Sequence, residues 1–282
     1  MSIVTADQVS IVDEPTRAFI ARTQQQHARL KIKQIVLGFG FPILLLLLWE
    51  AAARFGVIDR RFFPAPSTII ASIGPFITED EQRANLLMNV AATLRRLALG
   101  YGIGATAGVS LGLIMGLHTA TRFAVAPSIY AIFPLPKIAI YPLTIVIFGL
   151  GDPSSVALIA LGVFFMTCIN TLSGVRYMQP IYHDVATVFR VPAPKRWFRI
   201  FVPAAMPAII TGLRLGLGQA LILVVSSEFV SSDTGIGRFI WDAWQTLDIP
   251  KMFIGLAVVL LFASVAAVGG NYLERHLIPW KR

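Results

Sequence analysis

Charge is scarce in this sequence. Only 14% of its 282 residues are Asp, Glu, Lys or Arg, and 56% are hydrophobic, with a mean hydropathy of +0.71. Soluble domains usually carry about 25% charged residues, so a large water-facing globule is excluded and lipid is the implied solvent. Cysteine is nearly missing. Cys168 stands alone inside an apolar run, which leaves no disulfide and no Cys-based metal site within one chain. His118, His183 and His276 do not cluster, and no metal or catalytic constellation is visible. The first 34 residues lack the apolar core and small-residue cleavage site of a signal peptide. No Gly-x-x-x-x-Gly-Lys-Ser/Thr stretch occurs, so the chain has no P-loop with which to hydrolyse ATP, and no cofactor is expected.

What is present is a series of apolar runs. A bilayer core takes roughly 20 mostly apolar residues per helix, and six stretches qualify: 35–53, 91–117, 125–148, 154–173, 204–228 and 252–273. The expected fold is an all-α polytopic membrane protein with about six transmembrane helices. The third stretch contains Pro127, Pro134, Pro136 and Pro142, which predicts a broken helix. Placing the N-terminus inside puts fourteen Lys/Arg in inner segments and six in outer ones. By the positive-inside bias, both termini face the cytoplasm. The net charge of +9 is then read as basic inner loops, and no nucleic-acid partner is expected. Residues 1–34 form a cytoplasmic tail. Within it Ala18 to Lys33 reads either as a basic amphipathic helix on the bilayer surface or as a disordered tail. Residues 274–282 form a second cytoplasmic tail.

Small residues mark the second span. Gly100, Gly104, Gly108, Gly112 and Gly116 recur every four residues, and Gly212 with Gly216 repeats the theme in the fifth. Lipid tails offer no hydrophobic drive between helices, so such stripes allow close backbone packing. That predicts a compact bundle or a dimer. Intramembrane charges are costly and default to functional hypotheses. Lys137 lies in the proline-broken span and either lines a watery path or snorkels to an interface. Arg214 and Glu228 bracket the fifth span. Arg95 and Arg96 read as interfacial anchors.

The longest inner connection, 174–203, is the most informative stretch. Pro180 suits a first helical turn, after which Ile181, Val185, Val188 and Phe189 share a face. Val191 precedes Pro192 and is pushed out of the α region, which stops the helix. Pro194 opens a second short helix with Trp197, Phe198 and Phe201 on one side. A helix–elbow–helix with apolar knobs in a basic setting results. It reads either as a hairpin lying on lipid headgroups or as a docking element for another protein.

Counting back from Pro203, the loop offers Asp184-Val185-Ala186, then Arg190, Ile200 and Val202-Pro203. This spacing resembles the signature loop of the permease subunits of binding-protein-dependent ABC importers: Glu-Ala-Ala, three residues, Gly, nine residues, Ile, one residue, Leu-Pro. Asp184 replaces Glu, Val185 replaces Ala, and Arg190 replaces the elbow Gly. Because of Arg190, a left-handed turn is not expected there, and Val191-Pro192 is expected to make the elbow instead. The resemblance covers roughly residues 45–275 and is close to the nitrate/sulfonate/taurine branch. It rests on Trp49-Glu50, Phe63-Pro-Ala-Pro-Ser-Thr68, Pro134 to Pro142, Phe148-Gly-Leu-Gly151, Asn170 to Arg176, Thr211 to Gly216 and Gly235 to Trp241.

The resemblance implies a multi-pass protein of the bacterial inner membrane. Residues 35–85 would hold the first transmembrane helix and an outer segment, and 86–273 a type I ABC importer permease core. Expected partners are cytosolic ABC ATPase subunits docked on the loop, a second permease copy in a homodimer, and a periplasmic or extracytoplasmic substrate-binding protein at the outer loops near 57–85 and 229–250. Pro134, Pro136, Lys137 and Glu228 are candidates for the translocation path of a small anion or related solute. An ion-gradient-driven secondary transporter is the alternative. It would need coupling carboxylates, for which only Glu50 and Glu228 offer themselves, and it leaves the loop unexplained.

Overall fold

In a computed structural model, which describes residue 38 and residues 40–278, the chain divides into two compact units, up to Ile70 and from Ala71 onward. The expected surface helix at Ala18 to Lys33 lies outside the described residues. The first unit holds α1, helical through 40–54, and the start of α2 (Pro66–Ala71). Glu50 joins them. Its carboxylate accepts from the Ser67 amide at 3.0 Å, the Ser67 hydroxyl at 2.7 Å and Arg54 Nε at 2.5 Å.

The second unit runs α3 (Gly74–Thr78), α4 (Asp80–Leu117), α5 (Thr119–Ile132), a 3₁₀ turn (Lys137–Ile140), α6 (Tyr141–Phe148) and α7 (Asp152–Arg176). Then come α8 (Pro180–Val188), α9 (Ala193–Arg196), a π-turn (Trp197–Phe201), α10 (Val202–Ser231), α11 (Ile236–Gln245) and α12 (Ile249–Leu277). Among the described residues, four helices are long and apolar enough to cross a membrane: Asp80–Leu117, Asp152–Arg176, Trp197–Ser231 and Ile249–Leu277. A fifth crossing is available if α5 and the segment Lys137–Phe148, bent by 96°, count together. The first expected span, 35–53, runs partly outside the described residues.

Glycine decides how the helices meet. α4 and α7 run parallel in contact, with Gly100 against Ile159 at one end and Gly116 against Val175 at the other. A methyl group on Gly108 would stand 2.6 Å from the carbonyl oxygen of Phe164, and one on Gly112 2.7 Å from that of Cys168. No side chain fits there, so the stripe is a backbone-to-backbone seam. α10 crosses the other side of α7 in the opposite direction, with Gly212 on Asn170 and Gly216 on Val163. Tyr141, Leu158, Ile159, Val163, Leu223 and Val224 fill the space between α4, α6, α7 and α10.

These directions define two ends. One gathers the starts of α4 and α7, the end of α10 and all of α11. The other gathers the ends of α4 and α7 and the loop carrying α8 and α9. α12 has little cover: among its described residues only Ile249, Ile254 and Gly255 are buried.

Candidate functional site: the helical loop and the buried clamp

The loop forms because prolines and caps leave it few alternatives. α8 begins at Pro180, whose missing N–H costs nothing in a first turn. It ends in a cap closed by two backbone bonds, Arg190 N–H to Thr187 O and Val191 N–H to Ala186 O, both 3.0 Å. That pattern is a Schellman motif, and it requires a left-handed residue at Arg190, whose φ is +47°. Here the structure corrects the sequence expectation. Arg190 makes the left-handed turn itself, against a penalty of roughly 1–2 kcal/mol for a residue with a Cβ. Pro192 then disfavours a helical Val191, and α9 begins at Ala193. Capping two orphan carbonyls is what offsets the strain.

The expected apolar face is real and uncovered. Val188 and Phe189 are 76% and 74% exposed, and Ile181 and Val185 lie beside them, also exposed. Asp184 is exposed, whereas Ala186 is fully buried, turned toward the rest of the loop. A second correction concerns the following segment. Trp197, Phe198 and Phe201 do not share one side: Phe201 is buried with the Trp197 ring at 5.2 Å, while Phe198 points out. The cause is backbone geometry. Val202 N–H reaches back five residues to Trp197 O, and Pro203 has no N–H to offer Arg199. The helix therefore widens into a π-turn containing Ile200 before Val202-Pro203 opens α10.

The broken span is equally local in origin. Pro134 and Pro136 interrupt the chain between α5 and the 3₁₀ turn, freeing carbonyl groups that hydrocarbon cannot solvate. The Lys137 ammonium supplies the missing donor. It bonds Phe133 O and, at 2.9 Å, Leu135 O, and it lies over the rings of Phe133 and Phe165. In this conformation Lys137 caps the break, while Pro134 and Pro136 are exposed.

Glu228 sits elsewhere, at the α11 end, and is fully buried. It therefore lines no open cavity in this conformation. Its carboxylate accepts from Thr93 Oγ1 at 2.8 Å, Arg96 Nη1 at 2.8 Å and the Gly237 amide at 2.8 Å. Arg96, also buried, further donates to Asp152 at 2.5 Å and to Thr234 O at 2.6 Å. Arg95 pairs with the same Asp152. Thr93 Oγ1 accepts from Ile236 N–H and Asn89 Oδ1 from Gly235 N–H. Two cations and two carboxylates thus tie α4, α7 and α10 to the turn before α11. Arg96 is no interfacial anchor, as the sequence suggested, but the centre of this clamp. Gly235 has φ +125° and lies against the Glu228 carboxylate, so a side chain there would displace it. Arg96 lies 56 residues from Asp152 and 132 from Glu228 in sequence, and no local spacing announces the pairing.

Comparison with known proteins fits this architecture. The family model of the binding-protein-dependent transport system inner membrane component matches residues 104–279. A Bacillus subtilis (strain 168) permease named for aliphatic sulfonate transport is 32% identical over 86% of this chain and 87% of its own. The taurine transport system permease protein of Escherichia coli (strain K12) is 30% identical over 88% of this chain and 90% of its own. A nitrate import permease protein of Synechocystis is 29% identical over 84% and 86%. Among solved structures, a chain of the inward-facing MetNI methionine ABC transporter superposes with a TM-score of 0.61. At 14% identity it covers 71% of this chain and 99% of that one, a likeness of fold. The chain belongs to the inner-membrane permease components of binding-protein-dependent ABC importers, in the nitrate/sulfonate/taurine branch.

Proposed function

We propose that this chain forms the translocation path of an ATP-driven importer and takes its energy from a separate ATPase docked on the loop 174–203. The observation that carries this reading is the uncovered ridge of Ile181, Val185, Val188 and Phe189 on a capped helix. Four apolar side chains left open on a defined helix are a partner surface rather than a core. Asp184 stands beside them as the charged contact, and Arg190, Pro192, Ile200, Val202 and Pro203 set the angle of the elbow. Closure of two ATPase subunits would move the paired loops, and the bundles would rock as rigid bodies between two access states.

The charge bias supports placing this loop, and both termini, in the cytoplasm. The α11 end then faces outward, where residues 229–250 receive an extracytoplasmic binding protein. The uncovered faces of α12 are consistent with a second copy of the chain beside it. The relatives named for sulfonate, taurine and nitrate transport support a small anion as the solute. The test is reconstitution of the chain with its genomic-neighbour ATPase and binding protein. Uptake should require ATP and an intact loop. Uptake that persists without any ATPase, driven by an ion gradient, would sink this reading in favour of a secondary transporter.

A further inference from the structure

Another charge outside the clamp sits on the face of α10 that meets α12. Arg214 is twelve residues past Val202 and seventeen short of Ser231 on α10, near the middle of a membrane-length helix, where an arginine is expensive. Its chain lies along α12 at Gly270, where an added methyl group would stand 3.1 Å from Arg214 Cγ. Its Nη1 donates to Glu274 at 2.7 Å. Unlike Arg96, whose side chain is 3% exposed, Arg214 is 40% exposed and Glu274 25%. The guanidinium opens on a mostly apolar groove of about 430 Å³ between α10 and α12, walled by Leu215, Leu217 and Leu221 of α10 and by alanines of α12, with Thr211 and Gly218 beside the arginine. Gly218 and the alanines of α12 leave room between the leucines, and the lining offers one cation.

We propose that Arg214 is the intramembrane receptor for the anionic group of the transported solute, and that Glu274 is the built-in carboxylate holding the guanidinium when no solute is bound. The proposal rests on the permease reading above and adds the residue and the charge class. A guanidinium presents paired N–H groups that match the oxygens of a sulfonate, nitrate or carboxylate. An arriving anion takes the oxygen positions that Glu274 occupies, so solute and Glu274 compete for one site. Competition keeps the affinity modest, as release into the cell requires.

The test uses the full chain with its partner ATPase in lipid nanodiscs, with methanesulfonate as probe and the uncharged isostere dimethyl sulfone as control. Thermal unfolding is followed against probe concentration, since a ligand bound only to the folded state raises the midpoint saturably. The native chain should show a saturable rise with methanesulfonate and none with the sulfone. Arg214→Gln should lose it, Arg214→Lys should keep part of it, and Glu274→Gln should lower the half-saturation concentration by about tenfold. Should Arg214→Gln fail to fold, Gly270→Leu removes the room for the arginine chain without touching its charge and should abolish the same rise. Superimposed curves for native chain and Arg214→Gln, an equal response to the sulfone, or an unmoved Glu274→Gln curve would overturn the proposal. Retention of the ATPase in pull-downs reports on the permease reading separately. Lost anion response with retained ATPase condemns the site alone, and an ATPase that does not bind condemns the broader reading.

Discussion

The two ends of the bundle are built on opposite terms. At the α11 end, Arg95, Arg96, Asp152 and Glu228 neutralise one another, and hydroxyl and amide groups occupy the remaining lone pairs. At the loop end, α8 turns its apolar face away from the bundle, and a two-bond cap fixes the elbow. The first end is finished within the chain and resists change. The second is rigid in backbone but incomplete in side chains, which is what a surface awaiting a partner requires. A bistable transporter needs both: a body that moves as one piece and a handle by which to move it.

The comparison breaks most sharply at the clamp. Removing one partner strands a buried charge, so Glu228→Ala or Arg96→Ala should lower stability by about 3–5 kcal/mol. The expected readout is a large drop in the thermal aggregation temperature of the purified chain. Replacing both by apolar side chains, as Arg96→Met with Glu228→Leu, should recover most of that loss, because the penalty comes from the uncompensated charge. A double variant as unstable as the singles would show that the bonds to Thr234 and Gly237 carry the clamp. Next in size is the glycine seam. Gly108→Val forces a side chain against the Phe164 carbonyl and should cost about 1–3 kcal/mol by overpacking. Gly102, with open space around its Cα, should accept valine with little change in the same measurement.

At the loop end the sign of the comparison reverses. Val188→Asp and Phe189→Asp alter exposed side chains, so stability should move by no more than about 0.5 kcal/mol. Capture of the ATPase should fall steeply for both. A loss of stability equal to the clamp variants, or unchanged capture, would show that the ridge is not a docking face. Asp184→Ala should weaken capture less, since the apolar contacts remain.

This contrast tracks what was legible in the sequence. Spans, the broken third segment and the α8 ridge are local patterns, set by apolar period and by proline. Among the described residues four of the six expected spans recur as membrane-length helices and the third as a bent pair, although α4 begins at Asp80, well before the expected residue 91. The glycine stripe also reads locally, because a four-residue repeat marks one helix face whatever packs on it. The clamp was hidden. Arg96 looks like any arginine near a span's end, and its partners Glu228, on α10, and Thr234, in the turn before α11, lie more than 130 residues away. The π-turn was hidden too, since a one-residue widening of the helix swings Phe198 out while leaving Trp197 and Phe201 together.

The smallest effect concerns the elbow, where the sequence argued against a left-handed residue and the chain adopts one. Glycine at position 190 would remove the Cβ strain but add unfolded-state freedom, so the two terms nearly offset and Arg190→Gly should change stability by less than about 1 kcal/mol. The substitution also removes a charge from a basic loop. Asparagine, which enters the left-handed region readily, removes the charge with less added freedom, and the pair of variants separates geometry from electrostatics. Amide exchange at Val191, whose N–H closes the cap on Ala186, reports the elbow, and ATPase capture reports docking. Slower exchange with unchanged capture in both variants would mean that Arg190 serves only as a strained hinge. Slower exchange with weaker capture in both would mean that the guanidinium itself reaches the ATPase, and that the strain is tolerated to place it there.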